Sequence, residues 1–429
     1  AGRFGRGRGL GRGLGRGKKR PAPCILYPGG VGGWPSMMPS MTHDLSSRRW
    51  LILLSTVVSF FSVGVTFFAV PPLIPGLIER FSLSHLQIGV LVGCISVPAI
   101  LFSIVLGAAV DRWPARATGN VALAVMAVGA LLFALAPSYV VLLLGRTLFG
   151  FGGLAINLLL ARLVSEAFKG RELALAMGTF NAVYPASMIA MYSLHPVLLG
   201  TFGWRGELLA LAALVVIAIP LHNLAVPAGL RGEAAATGTR SEPWVTKPLV
   251  ALAMSWLLFF AAYASVFTFA PEWAGGGPSA LLTVSLIPWA AIFLGPAIGS
   301  LIDRLGYAER WLLAGQLILA ATLLGMASGW LPAVPAMLLV GVTFGTIATP
   351  TYALPSQLVP AARVGFAFGF ITAFSNLGNL AGPAIAGAIR ARVAEWSWVW
   401  ICLAILAALG AGAALFLNLT KSRAAEPLE

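Results

Sequence analysis

The chain has 429 residues, of which 59% are hydrophobic and only 10% charged, and its mean hydropathy is +0.89. Soluble proteins carry roughly 25% charged residues, so this composition excludes a water-facing surface of ordinary extent and reads as an integral membrane protein solvated by lipid. The net charge of +14 is not spread evenly: residues 1–50 hold ten of the 28 Lys and Arg against one acid, Asp44, which argues against a nucleic-acid-binding surface on the rest of the chain.

In chain order, the first segment is AGRFGRGRGLGRGLGRGKKRPAPC, an Arg-Gly repeat without an apolar run of signal-peptide length. It has too little apolar surface to fold by burial, so residues 1–45 are expected to be a disordered tail. Arginine clusters neutralise phosphates and would suit a headgroup- or nucleic-acid-binding arm. The plainer reading is sequence upstream of the native start, because Met38 or Met41 would begin a more ordinary run into an apolar helix. No nucleic-acid partner is expected.

A membrane-crossing helix needs about 20 mostly apolar residues. Twelve spans are predicted, at 51–75, 86–109, 118–136, 138–163, 173–197, 205–224, 248–270, 279–302, 311–329, 332–352, 364–388 and 396–418. Connections are short apart from the polar linker 225–247, which splits the helices six and six. The expected organisation is an N-terminal half at 46–224, the linker, a C-terminal half at 248–418 and a tail at 419–429. Lys and Arg concentrate in cytoplasmic loops. With the N-terminus inside, eleven cations fall in inside loops and only Arg80, Arg205, Arg390 and Arg392 outside. A multi-pass protein of the plasma (inner) membrane with both termini cytoplasmic is expected.

Two loops read alike. Gly107-Ala-Ala-Val-Asp111-Arg112 follows span 2, and Gly299-Ser-Leu-Ile-Asp303-Arg304 follows span 8, an offset of 192 residues. Arg171 and Arg363 keep the same distance, and Phe149-Gly150 nearly matches Phe344-Gly345. So long a period means two homologous six-helix halves. The glycines permit close helix approach, and the acids are placed to face a neighbouring helix N-terminus. Arg112 is within reach of Glu166 at the end of span 4. Gly107, Asp111, Arg112, Glu166, Gly299, Asp303 and Arg304 are therefore read as a conformational latch. A purely topological role for these charges is the alternative.

The G-x-x-x-D-R loop and its second copy resemble the signature of the major facilitator superfamily, over residues 46–429. Gly145-Arg146-Thr-Leu-Phe-Gly150 in span 4 is similar to that family's embedded-arginine motif, and Phe202-Gly203-Trp204-Arg205 to the start of its sixth helix. Pro114 and Ala115 depart from the loop pattern, where the family usually has Gly and often a cation. The resemblance implies an all-α membrane fold of twelve helices in two pseudo-symmetric halves, with helices 3, 6, 9 and 12 outermost, and transport by alternating access.

Polar residues single out the pathway independently. Spans 3, 6 and 12 are nearly devoid of them, whereas spans 1, 4, 5, 10 and 11 carry polar stripes. The substrate-pathway candidates are Arg146, Asn157, Asn181, Tyr184, Tyr263, Trp289, Thr372, Asn376 and Asn379. A guanidinium inside a span costs on the order of 3 kcal/mol, so Arg146 must face the bundle interior or water. Three roles fit it: binding an anionic substrate, organising a proton path, or holding helices by bonding carbonyls. His195 reads as interfacial. Glu79, Glu207 and Glu272 are placed near membrane surfaces, which leaves a coupling proton or ion open.

Cys24, Cys94 and Cys402 have neither chelating nor paired spacing, and no nucleophile–base spacing appears. No metal, cofactor or enzymatic activity is therefore expected. The expected function is secondary transport of a small organic solute, with a slight preference for an organic anion because Arg146 is the single deep charge. Export of amphipathic compounds is the alternative, and a non-transporting sensor on the same scaffold is the alternative of another class.

Overall fold

The computed structural model describes residues 47–169, 172–228, 230, 245–360 and 363–425; the Arg-Gly tail, most of the linker, the last four residues and the Asp111 side chain lie outside the described residues. Among the described residues, eleven helical stretches are long and apolar enough to cross a membrane. One of them, Leu173–Ala225, has 53 residues. At 1.5 Å per residue it would be about 80 Å long, far more than one bilayer core of about 30 Å. It is broken at Gly203, where φ is +65°, a conformation that glycine adopts without a Cβ penalty. Residues 173–202 and 204–225 are thus spans 5 and 6, and the count is twelve.

Several spans are interrupted where prolines remove donors. Span 1 runs Arg49–Phe67, breaks for two residues, and resumes as Val70–Phe81 with Pro71 and Pro72 in its first turn. Span 2 starts at His85–Gly93, capped reciprocally by Ser84 and Gln87. It tightens to a 3₁₀ turn at Cys94–Ser96 and continues as Val97–Arg112. Span 8 has its break near the equivalent place, between Gly277–Val284 and Leu286–Leu305. Span 10 is Ala333–Ala353, followed by the short turn Pro355–Leu358. Spans 3, 4, 7, 9, 11 and 12 are Ala115–Ala134, Tyr139–Ala167, Lys247–Trp273, Ala308–Ala327, Val364–Arg390 and Trp396–Ala425.

The packing repeats with the chain. Span pairs 1–5, 2–4, 3–4 and 3–6 touch in the first set, and 7–11, 8–10, 9–10 and 9–12 in the second. Between the two sets, the principal contacts pair span 2 with 11, 5 with 8 and 1 with 7. Spans 3, 6, 9 and 12 take no part in them and form the outside, as the polar-stripe pattern predicts.

Span 6 is less bare than its composition suggests. Glu207 and His222 are fully buried, and Asn223 exchanges side-chain hydrogen bonds with Asn120 of span 3 and accepts one from Arg116. These polar groups face span 3 and span 5 instead of lipid, which is how an outer helix can carry them.

Candidate transport pathway

The two sets of spans are shut against one another at one end. That end carries the loops after odd-numbered spans and is called the odd-loop face. Span 2 meets span 11 with no room for a side chain: a Cβ on Gly93 would lie 2.7 Å from the Leu380 Cα, and one on Gly89 or Gly387 would strike the Pro383 or His85 carbonyl. Side-chain hydrogen bonds join the sets at this end. The Tyr192 hydroxyl donates to the Phe267 carbonyl at 2.7 Å, and His85 Nε2 lies 3.2 Å from both Glu272 carboxylate oxygens. Towards the even-loop face the same spans separate. A Cβ on Gly107, Gly178, Gly295, Gly365 or Gly369 would meet nothing within 4 Å.

The floor of the closed end is aromatic. Phe67 and Phe68, at the break of span 1, lie 6.2 and 5.4 Å from Phe267 of span 7. Tyr184 of span 5 packs on Phe68 at 5.0 Å, and Tyr263 joins from span 7 at 5.9 Å from Phe267 and 5.5 Å from Phe344. Four spans therefore converge on one cluster through tilted and edge-on ring contacts.

Arg146 lies beneath this cluster, 1% exposed. Its Nη1 donates to the Thr66 carbonyl at 2.9 Å and its Nη2 to the Phe67 carbonyl at 3.2 Å. The cause is local. In a continuous helix Phe67 would bond the N–H of residue 71, but that residue is proline and has none. The guanidinium supplies the missing donor, stacks 5.6 Å from the Phe133 ring centroid, and leaves Nε without a partner. No carboxylate pairs with it among the described residues.

The other pathway candidates are not all gathered. Tyr184 and Tyr263 belong to the cluster. Asn157 is half-buried on span 4. Asn181 is exposed and turns its amide back to the Met177 carbonyl, as Asn376 does to Thr372. Asn379 is half-buried, with its Oδ1 buried and unpartnered. Trp289 instead stacks on Phe293, 5.4 Å away on an exposed face of span 8.

The residues read from the sequence as a latch are at the open even-loop face. Glu166 is taken by Arg162 at 2.7 Å, and Arg162 also donates to the Val110 carbonyl. Arg112, Asp303 and Arg304 are exposed. Gly299 approaches only a Thr349 methyl, at 3.9 Å, so the close glycine contacts of this conformation are those at the other face.

Two groups escaped the sequence reading. Glu272 of span 7 contacts both His85 of span 2 and Arg390 of span 11, whose Nη2 is 3.4 Å away, and its contact with His85 joins the two sets at the odd-loop face. Glu207, near one end of span 6, is wholly buried, with Oε1 2.8 Å from His195 Nδ1. The signal for this pair was its spacing: twelve residues around a helical hairpin turn bring the last turns of span 5 against the first of span 6.

Known proteins share this architecture. A solved nucleoside transporter superposes with a TM-score of 0.73 at 15% identity, covering 86% of this chain and 99% of that one. A bacterial homologue of the human lysosomal transporter Spinster, solved in an inward-facing and occupied conformation, gives 0.73 at 14% identity, covering 87% of this chain and 97% of that one. In sequence, the hexuronate transporter of Bacillus subtilis (strain 168) is 24% identical over 383 residues, 82% of this chain and 89% of the relative. Monocarboxylate transporter 11 of Mus musculus is 27% identical over 326 residues, 67% and 68% of the two chains. Residues 52–277 and 273–429 match the Major Facilitator Superfamily, in keeping with the duplicated spans and their shut and open ends, and the chain belongs to that family of membrane transporters.

Proposed function

We propose that this protein carries a small organic anion across the membrane by alternating access, with the even-loop face cytoplasmic. The transport of small solutes follows from the family; the substrate class, the orientation and the cycle are our reading. The observation that carries the anion assignment is Arg146: a fully buried guanidinium with no carboxylate partner among the described residues. Its donors serve carbonyls, which cancel none of its charge, and an uncompensated cation in a low-dielectric interior favours an anion nearby. Hexuronate and monocarboxylate, the solutes in the relatives' names, are both anionic, which agrees with this reading. Lys and Arg are concentrated in the loops of the open face, which supports a cytoplasmic setting for it. On that orientation the conformation is inward-open, and a solute would meet Tyr184 and Tyr263 at the aromatic floor.

The test is uptake by proteoliposomes of the protein beginning at Met41. Labelled lactate and glucuronate are compared with glucose and a lipophilic cation. Saturable carboxylate uptake is expected, retained in Arg146→Lys and lost in Arg146→Gln, with Tyr184→Phe and Tyr263→Phe raising KM. Uptake of the cation alone, or equal carboxylate uptake by the Lys and Gln variants, would overturn the anion assignment.

A further inference from the structure

The two seams between the six-span sets are not equivalent. The seam of spans 2 and 11 is packed glycine against backbone, whereas the seam of spans 5 and 8 encloses a cavity of about 460 Å³ at the odd-loop face. That volume lies within the range of small-molecule sites, roughly 300–1,000 Å³. Its walls come from both sets: Pro71 to Leu77 of span 1 and His195, Pro196, Leu199 and Gly200 of span 5, with Trp204 beside them, face Thr268, Glu272 and Leu281 of spans 7 and 8. None of the pathway candidates lines it.

The lining is almost wholly apolar, and its two ionisable groups are acceptors. Glu272 presents a carboxylate that is 30% exposed. His195 is held from behind by Glu207 at 2.8 Å. In the tautomer that donates Nδ1–H to that carboxylate, Nε2 is left as a lone-pair acceptor. Glu207 is 0% exposed and its second oxygen has no partner, so the carboxylate is committed to the imidazole alone. The titratable and charged neighbours are Arg390 and His85 beside Glu272, and Arg80 and Arg205 stacked on Trp204.

We infer that the cavity between spans 1, 5, 7 and 8 is a binding site for an amphipathic amine, whose apolar body lies on the proline-rich wall and whose ammonium donates to His195 and Glu272. Because both sets build its walls, the site is complete only while the odd-loop face is shut. A ligand there adds its binding free energy to that conformation and holds the transporter open towards the even-loop face. None of the pathway candidates lines this site, and the inference does not depend on the identity of the transported solute.

The experiment uses the protein in nanodiscs titrated with phenylbutylamine, with phenylbutanol and phenylbutyrate as neutral and anionic controls, read by calorimetry and by thermal melting. The amine is expected to bind at least about tenfold more tightly than either control and to raise the melting temperature. Gly200 lines the cavity and a Cβ there meets nothing within 4 Å, so Gly200→Phe fills the space without a clash at the backbone. It is expected to abolish amine binding, and His195→Gln to weaken it about tenfold. Gly93→Val lies outside the cavity but presses the other seam apart, and is expected to weaken binding through the conformation alone. Equal amine affinity in Gly200→Phe and the parent, or no binding to the parent, overturns the site. Equal affinity for amine and controls overturns the head-group assignment, and unchanged affinity in Gly93→Val overturns the dependence on seam closure.

Discussion

At the residue scale, Arg146 shows how a charge can be placed by a defect elsewhere. Pro71 denies Phe67 its intrahelical donor, and the guanidinium of span 4 replaces it. Hydrogen bonds to charged groups are worth about 1.5–3 kcal/mol, more than neutral ones. Arg146→Ala should therefore destabilise the protein by about 2–4 kcal/mol, allowing for two carbonyls. Pro71→Ala restores an N–H four residues after Phe67, so it should recover about 1 kcal/mol of that loss in the Arg146→Ala background while doing little alone. Thermal or denaturant melts of the two single variants and the double variant test the cycle; strict additivity would refute the coupling. The charge itself was legible in the sequence, since no other Lys or Arg lies so deep in a span. Its partners were not, because the exposed carbonyls matter only where span 4 crosses span 1, and one chain does not reveal that crossing. The burial of Glu207 was hidden for a similar reason: its place near the end of a span does not reveal that His195 of the neighbouring span pairs with it.

At the element scale, the spans themselves were readable almost throughout, because lipid requires each crossing to satisfy its own backbone. The predicted gap at 198–204 between spans 5 and 6 contains Gly203, where the observed helix breaks. Which face of each helix finds a partner was less readable. The sequence drew attention to Gly107 and Gly299, yet in this conformation the tight approaches belong to Gly89, Gly93 and Gly387. All five are small residues at helix surfaces, and spacing does not say which end of a pair is shut. Gly93→Val should force the issue. Overpacking costs typically about 1–3 kcal/mol, and here that cost falls only on the conformation with span 2 against span 11. The ratio of states should move about five- to 150-fold away from it. Spin labels at Thr179→Cys and Ser356→Cys, on spans 5 and 10 near the even-loop face, should report a new population at shorter distance. An unchanged distance distribution would mean that the seam yields locally.

At the scale of the whole molecule, the offset of 192 residues already contained the two-fold repetition of the packing, and the twelve-span duplicated fold follows from it. The identity of the shut face was beyond the sequence, because one sequence serves both conformations and only the balance of contacts selects between them. The structure shows what weighs on the shut side. His85 and Arg390 converge on Glu272 from different sets, at 3.2 and 3.4 Å, with the three side chains 19–30% exposed. Partly exposed pairs contribute little, about 0–1 kcal/mol each, so this group biases the equilibrium and does not fix it. Glu272→Gln removes the common partner. It should shift the state ratio about fivefold at most, corresponding to about 1 kcal/mol, in the same direction as Gly93→Val but by less. The shift should fade in high salt, because partly exposed charges are screened there, whereas the steric effect of Gly93→Val should persist. The same pair of spin labels measured in low and high salt separates the two. A salt-independent effect of Glu272→Gln, or one as large as that of the valine, would mean that the carboxylate acts by packing and not by charge.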